Sequence, residues 1–334
     1  MENIIKNIIN IANDIEFYGV ISIYDENSTI YNESFGCRDV KNQLLNDVGT
    51  KFGIASGTKL FTALGIGQLI DQGMLSLNTK MKDIDINYHT FIDQNATILN
   101  LLTHTSGVYD YFDEEEIEDF DHFYVDIPWY QLETPLDYYS LFEGKKMKFQ
   151  TNKRFSYSNG GYVLLGIIIE HLTGLLYREF IEEYVLKPAN MLDSGFFAFN
   201  DLPENTANGY LGDLQTTNIY NVPIRGGGDG GMYTTTEDLR SFWDSLFSYR
   251  ILSRTLTQEY LKTRHQFNDT LGYGCGIYKR LDDSMFFIIG EDAGVGFDSR
   301  FIVPDRMIIN ILSNKTGGAG HIRKTILNAI SDGL

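Results

Sequence analysis

Apolar positions recur at two spacings along this chain, and the spacing changes with position. Tyr18-Gly-Val-Ile-Ser-Ile-Tyr24 and Ser28-Thr-Ile-Tyr-Asn-Glu-Ser-Phe35 surround the polar turn Asp25-Glu-Asn27, which predicts two antiparallel strands. Before them, Met1 to Asp14 has apolar residues at helical spacing, broken by polar ones, and predicts an amphipathic helix. A helix from Thr58 to Gln72 follows, apolar nearly all round and therefore buried, with Gly73 as its C-terminal stop. From Leu75 to Gly209 the pattern is helix and loop, including Ile98–Gly107 and a long helix over Gly161–Leu172. Strand spacing returns at Gly272–Lys279, Met285–Gly290, Asp298–Val303 and Met307–Leu312, and a helix over His321–Ile330 closes the chain. Strands at both ends with helices between predict an α+β fold: one antiparallel sheet built from the two termini, flanked by helices. Residues 76–209 would form an inserted helical lobe, and 1–75 with 210–334 the sheet lobe of the same domain.

Composition narrows the function. A hydrophobic content of 43% is that of a globular chain, and 334 residues suffice for two lobes. The formal charge of −18 argues against a nucleic-acid partner, because phosphate binding needs clustered Lys and Arg. No stretch approaches the 18 uninterrupted apolar residues of a membrane span, and the first residues lack a secretory pattern. A cytoplasmic protein is the expectation. Cys37 and Cys275 sit in or beside strand-like segments and predict buried thiols rather than a disulfide framework. The six histidines, at 89, 104, 122, 171, 265 and 321, show no paired spacing, so no metal is expected.

Chemistry concentrates in Phe52-Gly-Ile-Ala-Ser56-Gly-Thr-Lys59. A serine three residues before a lysine, at the start of a helix, puts hydroxyl and amine on one face a single turn apart. The amine can then take the hydroxyl proton without a His-Asp pair. A second candidate group is Tyr157-Ser-Asn159, just ahead of the long helix. Tyr157 can act as a general base if neighbouring positive charge lowers its pKa. Asn159 can hold Lys59 and donate its amide to a substrate carbonyl. Between these lies an acidic, aromatic stretch, Tyr109 to His122, which reads either as a solvated face or as a wall at the mouth of a cleft.

Taken together these blocks resemble the serine β-lactamase-like superfamily, closest to class C β-lactamases, D-Ala-D-Ala carboxypeptidases, D-aminopeptidases and related esterases. Ser56-Gly-Thr-Lys59 stands as the nucleophile motif and Tyr157-Ser-Asn159 as the second motif. Leu101-Leu-Thr-His-Thr-Ser-Gly107 is similar to that group's structural signature, which makes His104 structural. Gly227 to Leu239 is similar to its glycine-rich turn into a helix. The resemblance covers nearly the whole chain. It implies a serine hydrolase working through an acyl-enzyme, with Ser56, Lys59 and Tyr157 catalytic and Asn159 positioning, and with no cofactor. The alternative is a catalytically weak penicillin-binding-type protein that binds or senses a peptide or cell-wall fragment.

The third motif departs from the pattern. Relatives carry Lys-Thr-Gly or His-x-Gly on the strand lining the cleft. The literal Lys315-Thr-Gly317 comes after the last strand, too late for that role. By position the equivalent is Glu291-Asp-Ala293-Gly294, with the small Ala293 where the strand passes the nucleophile helix. The Gly294 N–H, with that of Ser56, would form the oxyanion hole. Facing the cleft, Glu291 and Asp292 would repel a substrate carboxylate, which points to an ester, an amide or a peptide with a free amine. Both side chains could instead turn to solvent. Gly226 to Gly231 satisfies G-x-G-x-x-G, but no βαβ unit surrounds it, and a tight loop into the helix at Thr236 accounts for it.

Overall fold

The structure is a computed structural model that describes residues 2–86, 92–117 and 119–331. His89 and Met1 lie outside the described residues. Eight strands form one antiparallel sheet. Their spatial order is Thr29–Phe35, Gly19–Tyr24, Met307–Ser313, Val295–Ile302, Met285–Asp292, Tyr278–Arg280, Leu271–Tyr273 and His265–Gln266. Gly19 lies opposite both Ser313 and Phe35, so strands from the two ends of the chain pair as the second and third of the sheet.

Gly19–Tyr24 and Met307–Ser313 are buried at every position, which requires cover on both faces. Alternate residues supply the two faces. Ile21, Ile23, Ile309 and Ile311 pack with Ile8 and Ala12 of the helix Glu2–Asp14 and with Ile322 and Ile326 of the helix Gly318–Ser331. Val20, Tyr24, Ile308 and Leu312 join the main core with Phe61 and Leu64 of the helix Thr58–Asp71 and Phe242 of the helix Thr236–Phe247. Burying the sheet on both sides also fixes the Thr58–Asp71 helix that starts just after Ser56.

Three elements differ from the periodicity. The single strand expected over Gly272–Lys279 is two short strands with a tight turn between them, because Gly274 and Gly276 interrupt it and Gly276 turns at φ +76°. The next-to-last strand starts at Val295, three residues early, and the closing helix starts at Gly318. Gly73 adopts φ +75°, as a helix stop requires. Within 76–209 the one long helix is Asn159–Thr173, packed against Thr58–Asp71 in the main core; the rest is short turns of helix and loop. Among the described residues, no single helix is long and apolar enough to cross a membrane. Both cysteines are free thiols, Cys275 buried and Cys37 half-buried.

Candidate active site

Ser56 sits on a short turn, Ala55–Gly57, that leads into the Thr58–Asp71 helix. Three features set this turn. The strand Phe52–Gly53 pairs with Tyr233–Thr234, Ala55 takes φ +43°, and the Thr58 hydroxyl donates to the Ala55 carbonyl at 2.7 Å. Gly57 is required there because a Cβ would lie 2.4 Å from the Phe297 ring. Lys59, one turn on, is 1% exposed. Its Nζ lies 2.9 Å from Ser56 Oγ, 2.6 Å from Asn159 Oδ1 and 2.6 Å from the Asp229 carbonyl oxygen. Burial lowers the Lys59 pKa, and the carboxylates of Asp229, Glu114, Asp110 and Asp292 oppose that shift.

The second motif is held from several sides. Ser158 caps the helix Asn159–Thr173, its hydroxyl accepting from the Gly161 amide. Asp110 completes the cap: its two oxygens accept from the Asn159 amide at 2.8 Å and the Gly160 amide at 2.9 Å. Asn159 offers its oxygen to Lys59 and donates Nδ2 to the Phe112 carbonyl at 2.6 Å. His104 accepts the Ser158 amide at Nδ1, so Nε2 carries the proton and donates to the Tyr273 hydroxyl at 3.0 Å. Burial and the nearby lysine keep this histidine neutral, and its ring packs on that of Tyr157, 4.4 Å between centroids. His104 is thus a structural support.

The environment of Tyr157 contradicts the expectation of a lowered pKa. Burial, with Glu114 adding to it, pushes the phenol well above its ordinary value; a hydrogen bond with Ser56 pulls it down only in part. Lys59 stands over the ring face, 4.9 Å from its centroid, rather than beside the hydroxyl. Tyr157 is therefore a neutral phenol at working pH.

The acidic stretch walls the cleft with Tyr111, Phe112 and Phe120, while Glu115, Glu116, Asp119 and His122 face solvent. Tyr111 donates to Asp229 at 2.5 Å, and Glu115 binds Arg154 at 2.9 Å, which with Ser156 brings its pKa down to about 2. Glu114 is solvent-exposed as a whole, yet its carboxylate lies 3.3 Å from Asn159 Nδ2 at the edge of the cleft, and desolvation raises its pKa. Asp110, pushed up to about 7 by burial, and Asp229, also raised by burial, complete the acidic surroundings of Lys59.

The third motif needs correction. Asp292 pairs with Val295, so Ala293-Gly294 is the two-residue turn of a hairpin, with Gly294 at φ +71°. The Gly294 amide donates to Thr316 Oγ1 at 2.7 Å and is not free for an oxyanion. Ala293 is buried in that turn, its carbonyl held by Asn218. The residue that passes close to Ser56 is Gly290, where a Cβ would lie 2.1 Å from the Ile54 carbonyl oxygen and 2.9 Å from the Ser56 amide nitrogen. Glu291 and Asp292 both line the cleft. Asp292 is pushed up to about 7, chiefly by burial.

The cleft has two arms that share Ser56 and Glu291. One has aromatic walls that include Tyr111, Phe112, Trp129, Tyr138 and Tyr233, with Asp229 and Asp292 among them. The other holds Tyr157, Tyr278, Ile289, Glu114 and Arg323. With Gly290 as the glycine of the third motif, the expected cation position falls on Ile288, which is buried in the main core. Asp110, Glu114, Asp229 and Gly290 were missed from the sequence. A lone glycine ending an apolar strand run was the available signal for Gly290.

The chain matches the family model described as Beta-lactamase over residues 10–331. It is 29% identical to penicillin-binding protein 4* of Bacillus subtilis (strain 168) over 321 residues, 90% of this chain and 68% of that protein. It is also 29% identical to protein flp of Staphylococcus aureus, covering 66% of this chain and 43% of that longer protein. Among solved structures, a penicillin-binding protein from Bacillus halodurans superposes with TM-score 0.90 at 37% identity, over 97% of this chain and 99% of that one. A D-amino acid amidase from Ochrobactrum anthropi SV3 shares the fold, with TM-score 0.80, 21% identity and 99% of each chain covered. The chain belongs to the Beta-lactamase family, with the serine β-lactamase/transpeptidase fold.

Proposed function

We propose that the protein is a serine hydrolase that opens an ester or amide through an acyl-enzyme on Ser56. The surroundings of Lys59 Nζ carry this reading. A neutral amine has two N–H bonds and one lone pair. Asn159 Oδ1 and the Asp229 carbonyl, both at 2.6 Å, take the two N–H bonds and leave the lone pair for the Ser56 hydroxyl at 2.9 Å. Burial lowers the Lys59 pKa in the direction this role requires.

In the proposed sequence Lys59 takes the Ser56 proton as Oγ attacks the carbonyl carbon. Backbone amides of Ser56 and Glu291, the residue after the closely packed Gly290, receive the oxyanion. Tyr157, neutral and hydrogen-bonded to Ser56, passes a proton to the departing amine or alcohol and regains one from Lys59. Water, deprotonated by Lys59, then attacks the acyl-enzyme and frees Ser56. Tyr157 lines only the second arm, so the leaving group lies there and the acyl group in the aromatic arm.

The substrate class follows from charge. Glu291, Asp292 and Asp229 line the aromatic arm against one cation, Arg225, and the third-motif cation position is taken by Ile288. A free carboxylate is disfavoured and an ammonium group favoured. Amides or esters of amino acids with a free amine fit this cleft, and a D-amino acid amidase shares the fold. A fluorophosphonate probe read by intact mass should label the wild type once and Ser56→Ala not at all. An unlabelled wild type at saturating probe would refute the nucleophile, and nitrocefin turnover at the rate of a dedicated β-lactamase would refute the substrate class.

A further inference from the structure

Residues 112–117 and 119–121 border the two arms where they meet. Phe112 lines the aromatic arm and Phe120 the second, and their rings stack with centroids 5.7 Å apart. The stretch is tied down on both banks of the cleft. On the helical side Asp113 meets Lys148 at 2.5 Å, and Glu115 accepts from Arg154 at 2.9 Å and from Ser156 at 2.8 Å. On the sheet side Asp121 makes three bonds: one carboxylate oxygen accepts from Thr316 Oγ1 at 2.7 Å, the other from the Gly212 amide at 3.2 Å, and its carbonyl from Asn221 Nδ2 at 2.7 Å. Thr316 Oγ1 also accepts the Gly294 amide, which joins this clasp to the hairpin turn that follows Glu291 and Asp292. The Lys315-Thr-Gly317 triplet, excluded as a third motif, thus contributes its threonine to this border of the cleft.

We propose that the Asp121–Thr316 clasp is a specificity determinant that restricts the protein to short acyl donors, open at one end at least, and excludes polymeric strands. This rests on Ser56 being the nucleophile. A donor reacting at Ser56 extends into both arms, because acyl and leaving groups lie on opposite sides of the scissile bond. Past a border tied at both ends, such a molecule has to enter end-on. A group too wide to pass Phe112 and Phe120 is tolerated at one end of the donor but not at both. A cell-wall strand, continuous in both directions from any internal bond, is wide at both ends.

Three activated aryl esters with one scissile bond test this: short acyl and alcohol groups, a branched polyethylene glycol on the acyl side only, and the same polymer on both the acyl and the alcohol side. Labelling rates are read by intact mass for wild type, Asp121→Ala and Thr316→Val, and melting temperatures report folding. Wild type should label with the two-ended polymer about a hundredfold more slowly than with the short probe, and both variants should recover about tenfold of that deficit. The one-ended probe should stay within a few-fold of the short one. Equal wild-type rates for the short and two-ended probes overturn the proposal, as does a parallel loss for every probe in the variants. Thr316→Val removes a single hydroxyl and keeps the test decisive if Asp121→Ala does not fold. Short-probe labelling that persists in Ser56→Ala would instead overturn the nucleophile, and this proposal with it.

Discussion

Gly290→Ala is the sharpest test of how the cleft is built. The added methyl would lie 2.1 Å from the Ile54 carbonyl oxygen and 2.9 Å from the amide nitrogens of both Ser56 and Gly57. All three are backbone atoms, so no side chain can rotate away. Ile54 also accepts the Gly57 amide at 2.8 Å, the bond that closes the nucleophile turn. The contact falls more than 1 Å short of ordinary van der Waals distance, so the strand or the turn must move by that amount. Either movement separates the two amides proposed for the oxyanion. Losing alignment with one such donor costs about 100- to 1,000-fold in rate, and overpacking of this kind costs about 1–3 kcal/mol in stability. Acylation by p-nitrophenyl acetate, normalised to folded protein, measures the first, and urea unfolding the second. Gly49→Ala is the control, since its methyl meets nothing nearer than 3.4 Å and the site is remote from Ser56. A Gly290→Ala protein that acylates at the wild-type rate would sink both the close approach and the choice of the Glu291 amide.

Other expectations follow from the same geometry. Tyr157→Phe should lower the acylation rate about 100-fold or more with little change in ground-state binding; equal losses in both would remove the phenol from proton transfer. Asp292 is one of the carboxylates that raise the Lys59 pKa, so Asp292→Asn should shift the acid limb of kcat/KM to lower pH; a shift to higher pH would contradict the assignment of Lys59 as base. Asp110 is raised in the folded state to about 7 from 3.8, so the folded protein holds a proton there that the unfolded chain releases. That contribution is complete below the unfolded pKa and is lost as pH rises through about 7. Asp110→Asn should therefore flatten the fall in melting temperature between pH 4 and 7, while lowering stability at acid pH by about 1–2 kcal/mol for the lost cap. An unchanged slope would place the proton elsewhere.

The fold and the Ser56–Lys59 pairing were legible because they rest on local pattern. Near-continuous apolar runs marked the strands Gly19–Tyr24 and Met307–Ser313, and an all-round apolar stretch marked the helix that starts just after Ser56. Ser56 and Lys59 need only one turn of helix to meet. What was illegible depends on register and burial. A hairpin shifted by a few residues moved the close approach from Ala293 to Gly290 and tied the Gly294 amide to Thr316. Burial set the direction of the Tyr157 shift against the charge beside it. The acidic stretch read either as solvated or as a cleft wall because charge density is visible in a sequence, whereas the partners Asn159, Arg154, Lys148 and Thr316 come from 30 to 200 positions away.

The pairing of Gly19 with Ser313 has a consequence for how the protein is made. The two residues are neighbours in the sheet, yet nearly the whole chain must be synthesised between them. Until Met307–Ser313 leaves the ribosome, the hairpin of Gly19–Tyr24 and Thr29–Phe35 presents an unpaired apolar edge, and the helix that starts at Thr58 has no complete sheet to rest on. The Ser56–Lys59 pair can then be fixed only after Ser313 has been made. A nascent chain stalled before residue 307 should need a chaperone to keep that edge covered, and it should acquire no acylating activity however long it waits.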